Sequence, residues 1–233
     1  MSISPDSIVF WEYGIFSLNG TIVFTWIVMA LLSFGSWLIT RRFKPDGDVS
    51  LLQSMLEAIV GSIRQQLKEV TPYQPKGIMD FLGTLFLFIA VSNILSVIPG
   101  FQPPTGSLST TAALALLVFI AVPVYGISRA GFFNYLSNYL RPSFFMLPFN
   151  IMGEISRTLA LAVRLFGNVM SSNMIGAILL LITPLFFPVI MQLLGLLTGV
   201  VQAYIFAILA AVYIGAAMEI QSIPKKIKKG EKI

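Results

Sequence analysis

The chain has 233 residues, 56% of them hydrophobic and 11% charged, with a mean hydropathy of +0.86. A soluble domain carries about 25% charged residues, so these few charges cannot cover a globule of this size, and a bilayer must be its solvent. With no Cys and no His, disulfides, thiolate metal sites and the usual neutral-pH proton shuttle are excluded.

Residues 1–19 hold Asp6 and Glu12 and form a short external N-terminus. No basic residue precedes Arg41 and no small-residue cleavage site follows the first apolar run, so the start does not read as a secretory signal. Apolar stretches long enough to span, roughly 20 residues each, run at about 20–40, 78–98, 108–128, 149–183 and 189–223. The fold class expected is therefore all-α: a polytopic membrane protein with five membrane-inserted helices in a single domain over 1–233.

The segment 45–76 is the one long polar stretch. Leu51, Leu52, Met55, Ala58, Ile59 and Ile63 recur there at helical spacing, opposite Gln53, Glu57, Arg64 and Gln65. That pattern predicts an amphipathic helix on the cytoplasmic interface, with a soluble linker helix as the plainer alternative. Residues 78–128 form a two-span hairpin closed by Pro99-Gly100-Phe101-Gln102-Pro103-Pro104-Thr105-Gly106. Asn93 and Ser96 approach this turn from the membrane side, either to cap the helix end or to line a polar access route. Residues 149–223 form the last pair. A proline-free run of 35 residues follows Pro148 and another follows Pro188. Such a helix is about 52 Å long at 1.5 Å per residue, against a hydrocarbon core of about 30 Å. Each must break or lie strongly tilted, and the matched lengths favour a steeply inclined hairpin. A basic tail, 224–233, closes the chain.

Thirteen of the fifteen basic residues fall in the connections 41–76 and 129–141 and in the tail, and the connections 99–107 and 184–188 hold none. The positive-inside rule then puts the N-terminus outside and the C-terminus in the cytoplasm; with no transit-peptide character a bacterial cell membrane is the default setting, and an organelle-encoded chain would look the same. The other two basic residues, Arg157 and Arg164, lie inside the fourth apolar segment with Glu154 and Asn168, followed by Ser171, Ser172 and Asn173. Arg157, Arg164, Asn168 and Ser171 share one helical face. Lipid cannot be what that face meets, because arginine at mid-membrane costs about 2.5–3.5 kcal/mol on insertion scales and stays protonated at any reachable pH. Arg157 can pair with Glu154 three residues earlier. Arg164 has no acidic residue within one turn on its own helix. Asp80, Glu154 and Glu219, the carboxylates of the last four spans, are all expected near cytoplasmic ends. Its counter-charge must come from water, a polar cavity or another chain.

The fifth segment offers a complementary face of Gly195, Gly199 and Gln202, continued by Ala203, Ala207, Ala210 and Ala211. Glycines four apart let helices approach closely, and a mid-helix Gln wants hydrogen-bond partners. No nucleophile, metal cluster or phosphate-binding loop is present, so no cofactor, metal or nucleic acid is expected. On physics alone an anion pore, a carboxylate-bearing partner and a transporter's substrate site all stay open.

Arg164-Leu165-Phe166-Gly167-Asn168 resembles the most characteristic motif of the a subunit of F-type ATP synthases. Glu154-Ile155-Ser156-Arg157 is similar to the stretch leading into that motif. Gln202-Ala203-Tyr204-Ile205-Phe206 and Tyr213-Ile214-Gly215 resemble the family's last helix, and Asn93 to Gly100 with Pro104-Thr105 its second-to-third-span hairpin. The likeness runs from about residue 50 to 220 in register. It implies a stator subunit beside a rotor ring of c subunits, each bearing a membrane-embedded carboxylate, with b-type peripheral stalk subunits as further partners. Two half-channels would open to opposite sides, and Arg164 between them would favour the ionised carboxylate and block direct leakage. The ATP chemistry would belong to other subunits. Asn168 and Gln202 match positions tied to the channels and to orienting the arginine.

Where many relatives carry titratable groups this chain has Asn173, Gly195 and Ala216. The lining then expected is Ser171, Ser172, Asn173, Thr198, Asn93 and Glu219 together with Gln202, suited to protons or to sodium ions. The alternative is a secondary transporter or channel binding an anionic substrate at Arg164, which predicts internal repeats and a helix broken near mid-membrane, with Gly167 the nearest breaker.

Overall fold

The computed structural model describes residues 9–13, 16–41, 77–98, 100–133, 146–182 and 187–219, with the isolated positions 54, 61 and 65. The interfacial helix expected in 45–76 and the basic tail 224–233 lie outside the described residues.

Five helices are each long and apolar enough to cross a membrane. They are α1 (Gly20–Arg41), α2 (Ile78–Leu95), α3 (Leu108–Ala130), α4 (Met146–Ile182) and α5 (Phe187–Glu219). A small antiparallel hairpin of β1 (Val9–Tyr13) and β2 (Phe16–Asn19) precedes α1, pairing Tyr13 with Phe16 and Trp11 with Leu18. The helical class holds for the spans; the hairpin is an addition in the N-terminal segment. Val9, Phe10, Trp11 and Tyr13 are the β-branched and aromatic residues that favour strands.

Helix boundaries follow from local chemistry. Gly77 takes φ +98°, a left-handed conformation that only glycine adopts freely, and its carbonyl receives Phe81 N–H to start α2. At the other end Ser96 turns its backbone N–H and its hydroxyl back to the Asn93 carbonyl. A 3-10 turn at Pro104–Gly106 leads into α3, and the Ser107 carbonyl receives Thr111 N–H. Pro123 sits within α3, and Gly131 at φ +80° ends it.

Both overlong helices are continuous. α4 runs 37 residues and α5 runs 33, about 55 and 50 Å at 1.5 Å per residue. Neither breaks at Gly167, Gly195 or Gly199.

The core lies where α2, α3, α4 and α5 meet. Ile78, Leu82, Leu85 and Ile89 form one stripe of α2 at spacings of 4, 3 and 4, and Leu114, Ala115 and Val118 come from α3, which packs chiefly on α4 and α5. Leu161 and Leu165 come from α4, and Ala203, Phe206, Ala210, Ala211 and Ile214 from α5. Alanines along α5 bring the backbones close, the device that drives helix association where lipid offers no hydrophobic contrast. α1 stands outside this group, with Trp26, Phe34 and Trp37 exposed and Phe24 set edge-on to Phe101 at 4.9 Å.

Candidate functional site

Leu161 and Leu165, four residues apart, are the fully buried anchors that rotate α4. Their burial turns Leu159, Val163 and Arg164 outward, and Val163 is 59% exposed. Arg157, Arg164 and Ser171, spaced by seven, are all exposed on this side, and Asn168 is half-buried at its edge. A charge therefore sits on an outward face otherwise made of Met152, Ile155, Leu159, Val163 and Met174. Arg164 has no hydrogen bond or ion pair among the described residues.

Arg157 is placed differently. Its guanidinium lies 5.6 Å from the centroid of the Tyr213 ring on α5, a cation–π distance. Half-buried Glu154, one turn earlier, is within electrostatic reach. The sequence-expected Glu154–Arg157 neighbourhood thus gains a third member from the last helix. Glu219 closes α5, and its side chain lies outside the described residues.

A cleft of about 710 Å³ opens where the ends of α2 and α4, the start of α5 and the turn at 100–103 converge. Its polar lining is Asn93, Ser96, Gln102, Ser172, Asn173 and Gln192, and Val169, Met191 and Gly195 complete the inner walls. None of its lining residues among those described is titratable. Ser172, Asn173 and Asn93, three of the residues proposed from the sequence as a channel lining, border this cleft. Ser171 is exposed instead, and Thr198 turns its hydroxyl to the carbonyls of Leu194 and Gly195, so neither borders the cleft. Gln102, Gln192 and Val169 are lining residues that sequence reasoning missed. Gln192 alone carried a signal, as a polar residue in an apolar run.

Asn93 and Ser96 both border the cleft, and their side chains bond differently. Ser96 ends the helix, whereas the Asn93 side chain reaches across to α5 and donates to the Gly199 carbonyl at 2.8 Å. Gly195 and Gly199 serve these polar neighbours. A Cβ at 195 would stand 3.3 Å from Ser172 Cβ, and one at 199 would stand 2.9 Å from Asn93 Cβ. Gln202 is 6% exposed, and its Nε2 has no hydrogen-bond partner among the described residues; it makes no bond to Arg164.

Five apolar helices, an outward-facing arginine without a hydrogen-bond or ion-pair partner among the described residues and a polar cleft define a multi-pass membrane protein. The profile of one family, described as ATP synthase A chain, matches residues 22–215. The chain is 59% identical over 220 residues to "ATP synthase subunit a 2" of Acaryochloris marina, covering 94% of each chain. It is 58% identical over 217 residues to "ATP synthase subunit a" of Nitrosospira multiformis, 93% of this chain and 86% of that one. It is 60% identical over 217 residues to "ATP synthase subunit a 1" of Chlorobaculum parvum, 93% of this chain and 96% of that one. The chain belongs to the ATP synthase A chain family. It is a component of the synthase's membrane sector, not its catalytic part.

Proposed function

We propose that this chain is the ion-translocating stator subunit of a rotary F-type ATP synthase, and that Arg164 couples ion flow to rotation of a ring of c subunits. The observation that carries this is the exposed Arg164 on an apolar face, with no counter-charge in hydrogen-bond or ion-pair reach among the described residues. A permanent cation so placed is costly in lipid and is stabilised when a neighbouring chain brings a carboxylate against it. Its field lowers the carboxylate's affinity for a bound proton or sodium ion. An ion therefore leaves the ring on one side of Arg164 and reloads on the other, and the ring must turn between the two events.

The cleft supplies the external half-channel, with Asn93, Ser172 and Asn173 in its wall and Asn168 and Gln202 between it and Arg164. Its hydroxyl and amide groups suit hydrated protons or sodium ions alike. Glu154, Arg157 and Glu219 lie toward the opposite, cytoplasmic end of the same pair of helices. The charge pattern supports an external N-terminus and a cytoplasmic C-terminus, in a bacterial cell membrane, with b-type stalk subunits holding the stator fixed. Unbroken helices through Gly167 speak against a transporter that binds an anionic substrate at a helix break.

The test is ATP-driven ion uptake by vesicles carrying the whole complex. Arg164→Ala should assemble yet abolish uptake; uptake within twofold of the unaltered complex would contradict the assignment.

A further inference from the structure

We propose that Asn93 is the inner gate of the cleft: a positioning residue whose fixed amide separates the cleft from buried Gln202, an inference that rests on reading the cleft as an ion route. Along their helices the lining residues nearest Arg164 are Asn93, Val169 and Gly195. Gln202 lies seven positions beyond Gly195, about 10 Å at 1.5 Å per residue. Gly199 stands between the two, on the same face of α5.

At that level the Asn93 amide is held at both ends. Its Nδ2 donates to the Gly199 carbonyl at 2.8 Å, and its Oδ1 accepts from the Thr105 hydroxyl at 2.8 Å. A carbonyl oxygen only accepts, so the amide nitrogen must face Gly199 and the amide oxygen must face Thr105. Asn93 is 3% exposed and Thr105 is fully buried. The absent Cβ of Gly199 makes the room, since one built there would stand 2.9 Å from Asn93 Cβ and 3.1 Å from its Cγ. Three elements (α2, the 3-10 turn and α5) are joined through this one side chain.

Past the latch, Gln202 presents a buried Nε2 without a partner among the described residues. A buried unsatisfied donor is destabilising and is relieved when water or an ion's hydration shell reaches it. In this reading water reaches Gln202 from the cleft, and the Thr105–Asn93–Gly199 latch controls that step. Breaking one bond loosens the amide, and breaking both opens the step to Gln202.

The chain has no cysteine, so one introduced thiol reports on one position. A small cationic methanethiosulfonate is offered from either side to the whole complex in membranes, carrying either Asn173→Cys or Gln202→Cys. Cysteine at 173 should label fast from the cleft side, and cysteine at 202 at least about tenfold slower, as two hydrogen bonds holding the latch imply. Adding Thr105→Val, which removes the hydroxyl and keeps the branched shape, should speed labelling at 202 about fivefold, the factor for one buried hydrogen bond, and leave 173 unchanged. Equal rates at 173 and 202 with Thr105 intact would overturn the gate, as would a rate at 202 that Thr105→Val does not alter. If Thr105→Val prevents assembly, the first comparison still decides, and Gly199→Ala displaces Asn93 from the other side. Labelling needs no turnover. If the cysteine variants label as expected while the unaltered complex pumps no ions, the translocation assignment is overturned and the gate stands.

Discussion

A guanidinium on an apolar helix face must find water or a negative partner, and the described residues give Arg164 no hydrogen bond or ion pair. What sets Arg164 apart from Arg157, two turns away, is company. Arg157 has the Tyr213 ring and Glu154 within reach, so its charge belongs to the chain's own structure. An exposed cation–π contact is worth about 0.5–1 kcal/mol, and Arg157→Ala should keep ATP-driven pumping within about fivefold of normal. Arg164→Lys tests geometry with the charge retained. A lysine ammonium is a compact, strongly hydrated point charge, and a guanidinium is a planar fork that matches a carboxylate with two hydrogen bonds. Pumping by Arg164→Lys should fall at least about tenfold, since one charge-assisted hydrogen bond is worth about 1.5–3 kcal/mol. Full activity in the lysine variant would mean that charge alone suffices.

Glycines on the two long helices separate what the fold needs from what a partner needs. Gly199 is required by the fold, because an added Cβ meets the Asn93 side chain at 2.9 Å. Gly199→Ala should lower the thermal stability of the assembled complex, measured by its melting in detergent, whereas Gly195→Ala faces only Ser172 at 3.3 Å and should cost less. Gly167 is the opposite case: nothing lies within 4 Å of the Cβ it lacks. Within the chain, alanine at 167 should be neutral or should stabilise α4 by about 0.5–1 kcal/mol, the usual gain over glycine in a helix. If a ring of c subunits passes close to this half-buried position, Gly167→Ala should nonetheless slow pumping several-fold while insertion and stability are unharmed. Unchanged pumping would show that the ring keeps its distance from residue 167.

At the scale of the whole molecule, a cleft whose described lining holds no titratable side chain makes a distinct prediction about ion access. Amide and hydroxyl dipoles do not change charge with pH, so ion access through the cleft should be nearly flat from about pH 6 to 8, the range in which a histidine-lined route would switch. Comparing pumping with and without sodium at fixed pH then reports on the ring's binding site and not on the cleft.

The five spans were legible because apolar runs of bilayer length cannot be mistaken, and Arg164 because a charge inside one of them needs an explanation. The latch was not, since Asn93 and Gly199 lie 106 positions apart and meet only once α2 and α5 pack. Gln102 and Val169 escaped for the same reason: their place in the cleft depends on how α4 and α5 run past the turn between α2 and α3. The hairpin at 9–19 did leave a mark, the run Val9-Phe10-Trp11-Glu12-Tyr13 followed by Gly14, though it is too short to weigh against the helical pattern that follows.

Proximity of the Arg164 face to a moving carboxylate can be measured by cross-linking. In the cysteine-free chain, Val163→Cys, 59% exposed and adjacent to Arg164, is combined with a cysteine next to the ring carboxylate and the assembled complex is oxidised. A disulfide between the two chains should form and stop ATP-driven rotation until reduced, whereas cysteine in place of buried Leu161 should give none. Cross-linking at 161 but not at 163, or at neither, would contradict an arginine facing the ring.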